Sequence, residues 1–256
     1  MPILQLKEID FRYGTKEVLK GLSFAVARGE IIGIIGPNGS GKTTLLKVID
    51  GLLIPQGGEM LVQGSCIGQK TRRELAAVMA FVPQELSPGF PFTVREIVMM
   101  GRYHQLGGLH FESSRDHLIV EESLARTDTL PFAGRLISQL SGGERQRVLI
   151  ARALAQQSDI MLLDEATAFL DIKHQLSLFE LIKKLNREKG LTVLVVTHDI
   201  NLAARYTDRI ILLRDGAIHS LGSPAEVITA DSIGAVYEAD VLVDQNPRTG
   251  APRVTL

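Results

Sequence analysis

The sequence predicts an α/β fold: a mostly parallel sheet flanked by helices, with an antiparallel β-lobe and a helical lobe attached. Three observations predict it. Short, fully apolar runs at residues 31–35, 78–82 and 160–163, and a similar run at 192–196, have the length and composition of strands covered on both faces. The first run leads through a glycine-rich turn into a helical pattern. Between Ser87 and about Gln157 the composition shifts to capped helices.

The elements follow in order. Leu4, Leu6, Ile9 and Phe11 roughly alternate with polar residues, as a half-exposed strand does, and Tyr13-Gly14 turns the chain. Val18-Leu19, Leu22, Phe24 and Val26 continue the antiparallel lobe, which takes a further strand at residues 59–62. Residues 42–50 keep a helical period that Gly51 stops. Residues 71–77 read as a helix. Ser87-Pro88-Gly89-Phe90-Pro91 reads as a loop, and Thr93 with Glu96 caps a helix running to about Tyr103. Further helices are expected at 113–126, 145–155 and 173–188. A strand at 210–213 leads into the hairpin signal Asp215-Gly216, and Ser223-Pro224-Ala225-Glu226 opens another helix. Residues 241–256 read as a short tail hairpin around Asn246 to Gly250. The lobes are parts of one unit, residues 1–256, with the helical subdomain at about 87–157.

Composition narrows the function. With 45% hydrophobic residues the 256-residue chain buries a full core. Its 28 basic and 29 acidic side chains leave a net charge of -1, so the totals suggest no nucleic-acid partner. A single cysteine, Cys66, forms neither an internal disulfide nor a cysteine-based metal cluster. No run reaches the ~18–20 apolar residues of a membrane span. Met1-Pro2-Ile3-Leu4-Gln5 lacks the basic start of a secretory signal.

The chemistry begins at Gly36-Pro37-Asn38-Gly39-Ser40-Gly41-Lys42-Thr43, which fits G-x-x-x-x-G-K-[ST] in full, with a strand before and a helix after. Glycines let several N–H groups converge on a phosphate, and the helix start adds its positive end. Lys42 is expected to neutralise the β- and γ-phosphates, Thr43 to ligate Mg2+, and Thr44 to join the nucleotide contacts. Asp164 and Glu165 end an apolar strand. Taken alone they are as well read as strand-capping carboxylates. Beside a phosphate loop, Asp164 suits Mg2+ and Glu165 suits polarising an attacking water. His198 ends the next strand and reaches the same edge. The other histidines, His104, His110, His117, His174 and His219, take an ordinary surface or packing reading. In Ser141-Gly142-Gly143-Glu144, Ser141 and Glu144 form a capping box, and the two glycines leave bare N–H groups at a positive helix end, a second anion site.

The phosphate loop, Gln84, Leu140-Ser141-Gly142-Gly143-Glu144, Asp164-Glu165, Leu170-Asp171 and His198, occurring together and in order, resemble the ATP-binding subunit of an ABC transporter over nearly the whole chain. The resemblance implies a P-loop NTPase (RecA-like) core, ATP and Mg2+ as ligands, and two copies facing head to tail across ATP. It assigns Tyr13 to adenine stacking and Gln84 to Mg2+ and water. Asp171 is assigned to the opposite subunit, and Ser141 to the γ-phosphate across the dimer. It implies transmembrane permease subunits as partners, a substrate-binding protein indirectly, and a place on the cytoplasmic face of the cell (inner) membrane. Ala166 and Ala168 depart from the family's proline and serine at these positions.

Residues 92–103, Gly222-Ser223-Pro224-Ala225-Glu226-Val227 and Asn246-Pro247-Arg248-Thr249-Gly250 resemble importers of ferric siderophores, haem and cobalamin. The alternatives are a subunit for molybdate or another metal, an exporter subunit, or a soluble scaffold-type ATPase. The superfamily's chromosome ATPases would need a long heptad insertion, and its translation factors two cassettes in one chain; neither feature is present.

Overall fold

The computed structural model describes residues 1–84, 90–105, 112–166 and 170–255. In chain order its strands are β1 (Leu4–Tyr13), β2 (Lys16–Val26), β3 (Ile31–Ile35), β4 (Gly57–Val62), β5 (Ser65–Cys66), β6 (Met79–Val82), β7 (Ile160–Asp164), β8 (Thr192–Val196), β9 (Arg209–Arg214), β10 (Ala217–Gly222), β11 (Leu242–Gln245) and β12 (Pro252–Thr255). The helices are α1 (Lys42–Ile49), α2 (Arg72–Val78), α3 (Val94–Met99), α4 (Ser114–Arg126), α5 (Gly142–Ala155), α6 (Ile172–Lys189), α7 (Ile200–Tyr206), α8 (Pro224–Val227) and α9 (Ala230–Tyr237).

Six strands form the main sheet in the order β10-β9-β3-β8-β7-β6, parallel except at the β9–β10 hairpin. Side chains alternate across each central strand, so both faces need cover. Ile32 and Ile34 of β3, with Leu194 and Val196 of β8, pack against α1 and the antiparallel lobe. Ile31, Val193 and Val195 point the other way and are covered by Leu149, Ile150, Leu178, Phe179 and Ile182 of α5 and α6. The antiparallel lobe is the sheet β2-β1-β4-β5, whose Leu4, Leu6, Ile9 and Phe11 face the shared core. This is the α/β arrangement that the apolar runs predict.

The helical lobe has its own core of Val94, Ile97, Val98, Ile119, Val120, Leu124, Val148 and Ala151. α5 serves both clusters, through Val148 and Ala151 on one side and Leu149 and Ile150 on the other. Two helix bounds differ from expectation. α5 starts at Gly142, not Arg145, because Ser141 is its N-cap and the glycines lie inside the first turn. The helix expected to reach Tyr103 stops at Met99 and gives way to a 3-10 turn, Met100–Arg102. There Gly101 packs so closely on α5 that a Cβ would lie 2.2 Å from the Arg152 carbonyl oxygen. The short helices α7 and α9 were not expected. The loop predicted at Ser87-Pro88-Gly89, the bland histidine His110 and the departure at Ala168 lie outside the described residues. No helix among the described residues is long and apolar enough to cross a membrane.

Candidate functional site

The phosphate loop joins β3 to α1. Gly36, Gly39 and Gly41 have φ of 150°, 82° and 101°, a region closed to most side chains. At Gly36 space forbids one as well, since a Cβ would stand 2.3 Å from the Leu213 carbonyl oxygen. Gly41 is the N-cap of α1 and supplies no side-chain acceptor, so the first N–H groups of α1 are left for a ligand. Lys42 is buried, and its Nζ donates to the carbonyls of Gly36 at 2.9 Å and Pro37 at 3.0 Å. Burial lowers its pKa, against the raising influence of Glu165 and Asp164. The Ser40 hydroxyl is buried and has no hydrogen-bond partner among the described residues. An orphaned hydroxyl beside uncapped helix N–H groups fits a phosphate oxygen as its missing partner.

β7 and β8 bring the carboxylates and the histidine to the same sheet edge. Thr43 Oγ1 donates to Asp164 Oδ1 at 2.9 Å. Burial raises the Asp164 pKa, with the Thr43 hydrogen bond opposing and the neighbouring Glu165 charge reinforcing the shift. Glu165 has φ 48°, and its N–H donates to the Val196 carbonyl at 3.1 Å. This turn puts Glu165 Oε1 2.7 Å from His198 Nε2. Thr43 and Asp164 form an all-oxygen pair suited to Mg2+, which prefers a few oxygen ligands beside substrate phosphates to a complete protein cage. Among the described residues no three His, Cys, Asp or Glu side chains gather as such a cage.

Beside them lies a cleft of about 520 Å3 lined by Tyr13, Asn38, Gly39, Gly41, Lys42, Thr43, Thr44 and Glu165, while Gly36, Pro37, Ser40, Asp164 and His198 are not part of its lining. Tyr13 is half-exposed and meets Phe11 edge-on, which leaves a face open to a flat ligand. Lys16, Glu17, Lys20 and Asp215 also line the cleft and were missed by the sequence reading. No motif marks them; their nearness to Tyr13 and to the β9–β10 turn was the available signal.

The second set of predicted residues stands apart from this lining. Ser141 caps α5: its O–H and N–H donate to Glu144 Oε2 at 2.7 and 2.8 Å, and the Glu144 N–H donates back to Ser141 Oγ at 3.3 Å. These bonds hold the Glu144 carboxyl below its usual range. Asp171 caps α6, accepting the His174 N–H at 2.9 Å, which lowers its pKa. Gln84 is exposed just past the end of β6. Ser141, Gly142, Gly143, Glu144, Asp171 and Gln84 are absent from the cleft lining. The predicted site residues thus fall into two sets, one at the cleft and one away from its lining.

Known proteins share this plan. The family model described as ABC transporter matches residues 19–168. The cobalamin import ATP-binding protein BtuD of Halobacterium salinarum is 40% identical over 252 residues, 98% of this chain. The chain spans 63% of that protein's length. The hemin import ATP-binding protein HmuV of Streptomyces coelicolor is 44% identical over 93% of this chain and 84% of its own. Among solved structures, an inward-facing metal-chelate type ABC transporter aligns with a TM-score of 0.88 at 27% identity, over 100% of this chain and 97% of its own. A dimeric bacterial ABC transporter cassette aligns at 0.74 and 35% identity, over 86% of this chain and 98% of its own. The phosphate loop, the paired strand-end carboxylates and these matches lead to one conclusion: the chain belongs to the ABC transporter family, as one of its ATP-binding cassettes.

Proposed function

We propose that the chain is the ATP-hydrolysing subunit of an importer for a metal chelate, a ferric siderophore, haem or cobalamin. The observation that carries the hydrolytic part is the convergence of Lys42, Thr43, Asp164, Glu165 and His198 on one sheet edge beside the cleft. The glycine-loop N–H groups, Ser40 and Lys42 hold the β- and γ-phosphates, and Tyr13 stacks on the adenine. Thr43 and Asp164, joined by Gln84, hold Mg2+, which when bound offsets phosphate charge. Glu165 polarises the attacking water, and His198 orients Glu165 and reaches the γ-phosphate. Ser141, Gly142, Gly143 and Glu144 of a second copy complete the phosphate contacts from across a head-to-tail dimer, with Asp171 near the opposite loop.

Closure around ATP and release after hydrolysis form a gating cycle. The Gln84 loop and the helical lobe pass it to transmembrane permease subunits, with the chain peripheral on the cytoplasmic face of the inner membrane and a substrate-binding protein delivering the chelate. Residues 1–256 act as one cassette. The import relatives support the substrate class.

The test is chelate uptake by a complex of this chain and its co-purified permease, with and without ATP. Uptake that requires ATP and stops in Glu165→Gln, while that variant still binds ATP and accumulates as a dimer, is the expected outcome. Ordinary turnover in Glu165→Gln removes Glu165 from its role, and co-purification with soluble partners alone removes the transport reading.

A further inference from the structure

We propose that His174 is a positioning residue that locks the Ser141 end of α5 to Asp171, so that both reach a second copy as one surface. This rests on the head-to-tail reading above.

Two capping arrangements stand side by side here. Ser141 and Glu144 close the start of α5, and Asp171 with the His174 N–H closes the start of α6. Each holds its own helix, and neither ties one helix to the other. The His174 ring does. On one edge its Nδ1 lies 2.7 Å from Asp171 Oδ1. On the other, its Cδ2 and Cγ would be 2.8 and 3.1 Å from a Cβ built on Gly143. The ring therefore sits against the bare backbone of Gly143, in space that any side chain at 143 would claim. This gives Gly143 a role beyond exposing its N–H. Leu170 adds a looser contact, its Cδ2 3.9 Å from a Cβ built on Gly142.

A first helical turn and a capping loop are the parts of a helix most prone to fray. If they move independently, a partner must order both on binding, and that ordering opposes association. A ring wedged between them removes this freedom beforehand. The His174 side chain is 45% exposed, so it adds little to the buried core. Its contacts are spent on the relative placement of two functional helix ends rather than on folding.

The experiment uses the full chain as parent, His174→Ala, His174→Gln and His174→Phe. Gln keeps a donor for Asp171 but loses the ring, and Phe keeps the ring but loses the donor. Three quantities are read: affinity for a fluorescent ATP analogue, ATP-driven dimerisation in a Glu165→Gln background by sedimentation, and kcat with KM. In His174→Ala, ATP affinity and melting temperature should stay at parental values, while dimerisation and kcat each fall about tenfold. His174→Phe should recover most of the dimerisation, and His174→Gln little of it. The inference is overturned if His174→Ala dimerises and turns over like the parent. It is equally overturned if Gln rescues as well as Phe, which makes His174 a local cap, or if melting temperature and ATP affinity fall with kcat. A parent that forms no dimer with ATP overturns the reading of the site and this inference with it, whereas a dimerising parent beside an equally competent His174→Ala overturns the inference alone.

Discussion

Asp164 pays for its position in folding free energy. Burial raises its carboxyl pKa above the usual 3.8. A raised folded-state value means that the ionised form is disfavoured in the fold, so stability is lost as pH rises from the unfolded value through the folded one. Replacing Asp164 with Asn keeps an acceptor for Thr43 Oγ1 and removes the charge. Asp164→Asn should therefore melt higher than the parent near pH 7, with the gain shrinking towards pH 4, while ATP turnover falls about a hundredfold or more for want of the carboxylate at the phosphates. Thermal melts across that range with a steady-state ATPase assay check both halves. At this scale much was legible. The run Gly36 to Thr43 and the pair Asp164-Glu165 carry their chemistry in consecutive residues, so order along the chain is nearly order in space. The His174–Gly143 contact was invisible, and His174 read as bland, because no spacing rule says that the starts of α5 and α6 abut.

Among the helices, the stretch expected as a helix end and found as the 3-10 turn Met100–Arg102 is the one that organises the lobe. Arg102 is 1% exposed, and its Nε meets Asp116 Oδ1 at 2.9 Å. Its Nη1 donates to the Ala155 carbonyl at 2.7 Å and to Gln157 Oε1 at 3.1 Å, and Nη2 to Gln105 Oε1 at 2.7 Å. One guanidinium thus ties the 3-10 turn after α3 to the start of α4 and the end of α5. Asp116 also accepts the Ser113 hydroxyl, and Ser113 with Arg102 holds its carboxyl at about 2, below the usual 3.8. A depressed folded-state value gives stability that is present above the unfolded value and lost as pH falls towards about 2. Arg102→Leu, which removes the cation beside buried Asp116 and leaves it only its Ser113 hydrogen bonds, should cost about 3 kcal/mol in denaturant unfolding. Asp116→Asn should flatten the acid limb of the stability curve between about pH 4 and pH 2. The capping boxes at Thr93, Ser141 and Ser223 were readable because their signature spans four residues. α7 escaped because its N-cap, Asp199, stands only three residues past the end of β8 and the helix itself is only seven residues long.

Across the whole molecule, the parallel sheet sets the site, since β3, β7 and β8 are neighbours and deliver the phosphate loop, Asp164-Glu165 and His198 to one edge. The sequence predicted these strands and their common edge, but not the strand order or the brace behind His198. That brace is the β11–β12 hairpin. Asn201 of α7 donates to the Val254 carbonyl at 3.1 Å and accepts the Val254 N–H at 2.8 Å. Val243 and Val254 pack against the cluster that holds Ala203 and Ala204. Removing residues 241–256 should lower the melting temperature by several degrees while leaving ATP-analogue affinity near the parental value, since the hairpin does not line the cleft. Differential scanning fluorimetry and a binding titration measure these effects. Among the described residues seven non-glycine side chains hold a positive φ; two of them, Asp215 and Glu165, also line the cleft, and of these two it is Glu165 that pairs with His198. Glycine there would relieve roughly 1 kcal/mol of backbone cost. A laboratory lineage bred only to survive heating would drift towards glycine at that spot, and it would become hardier by surrendering the group that makes it useful.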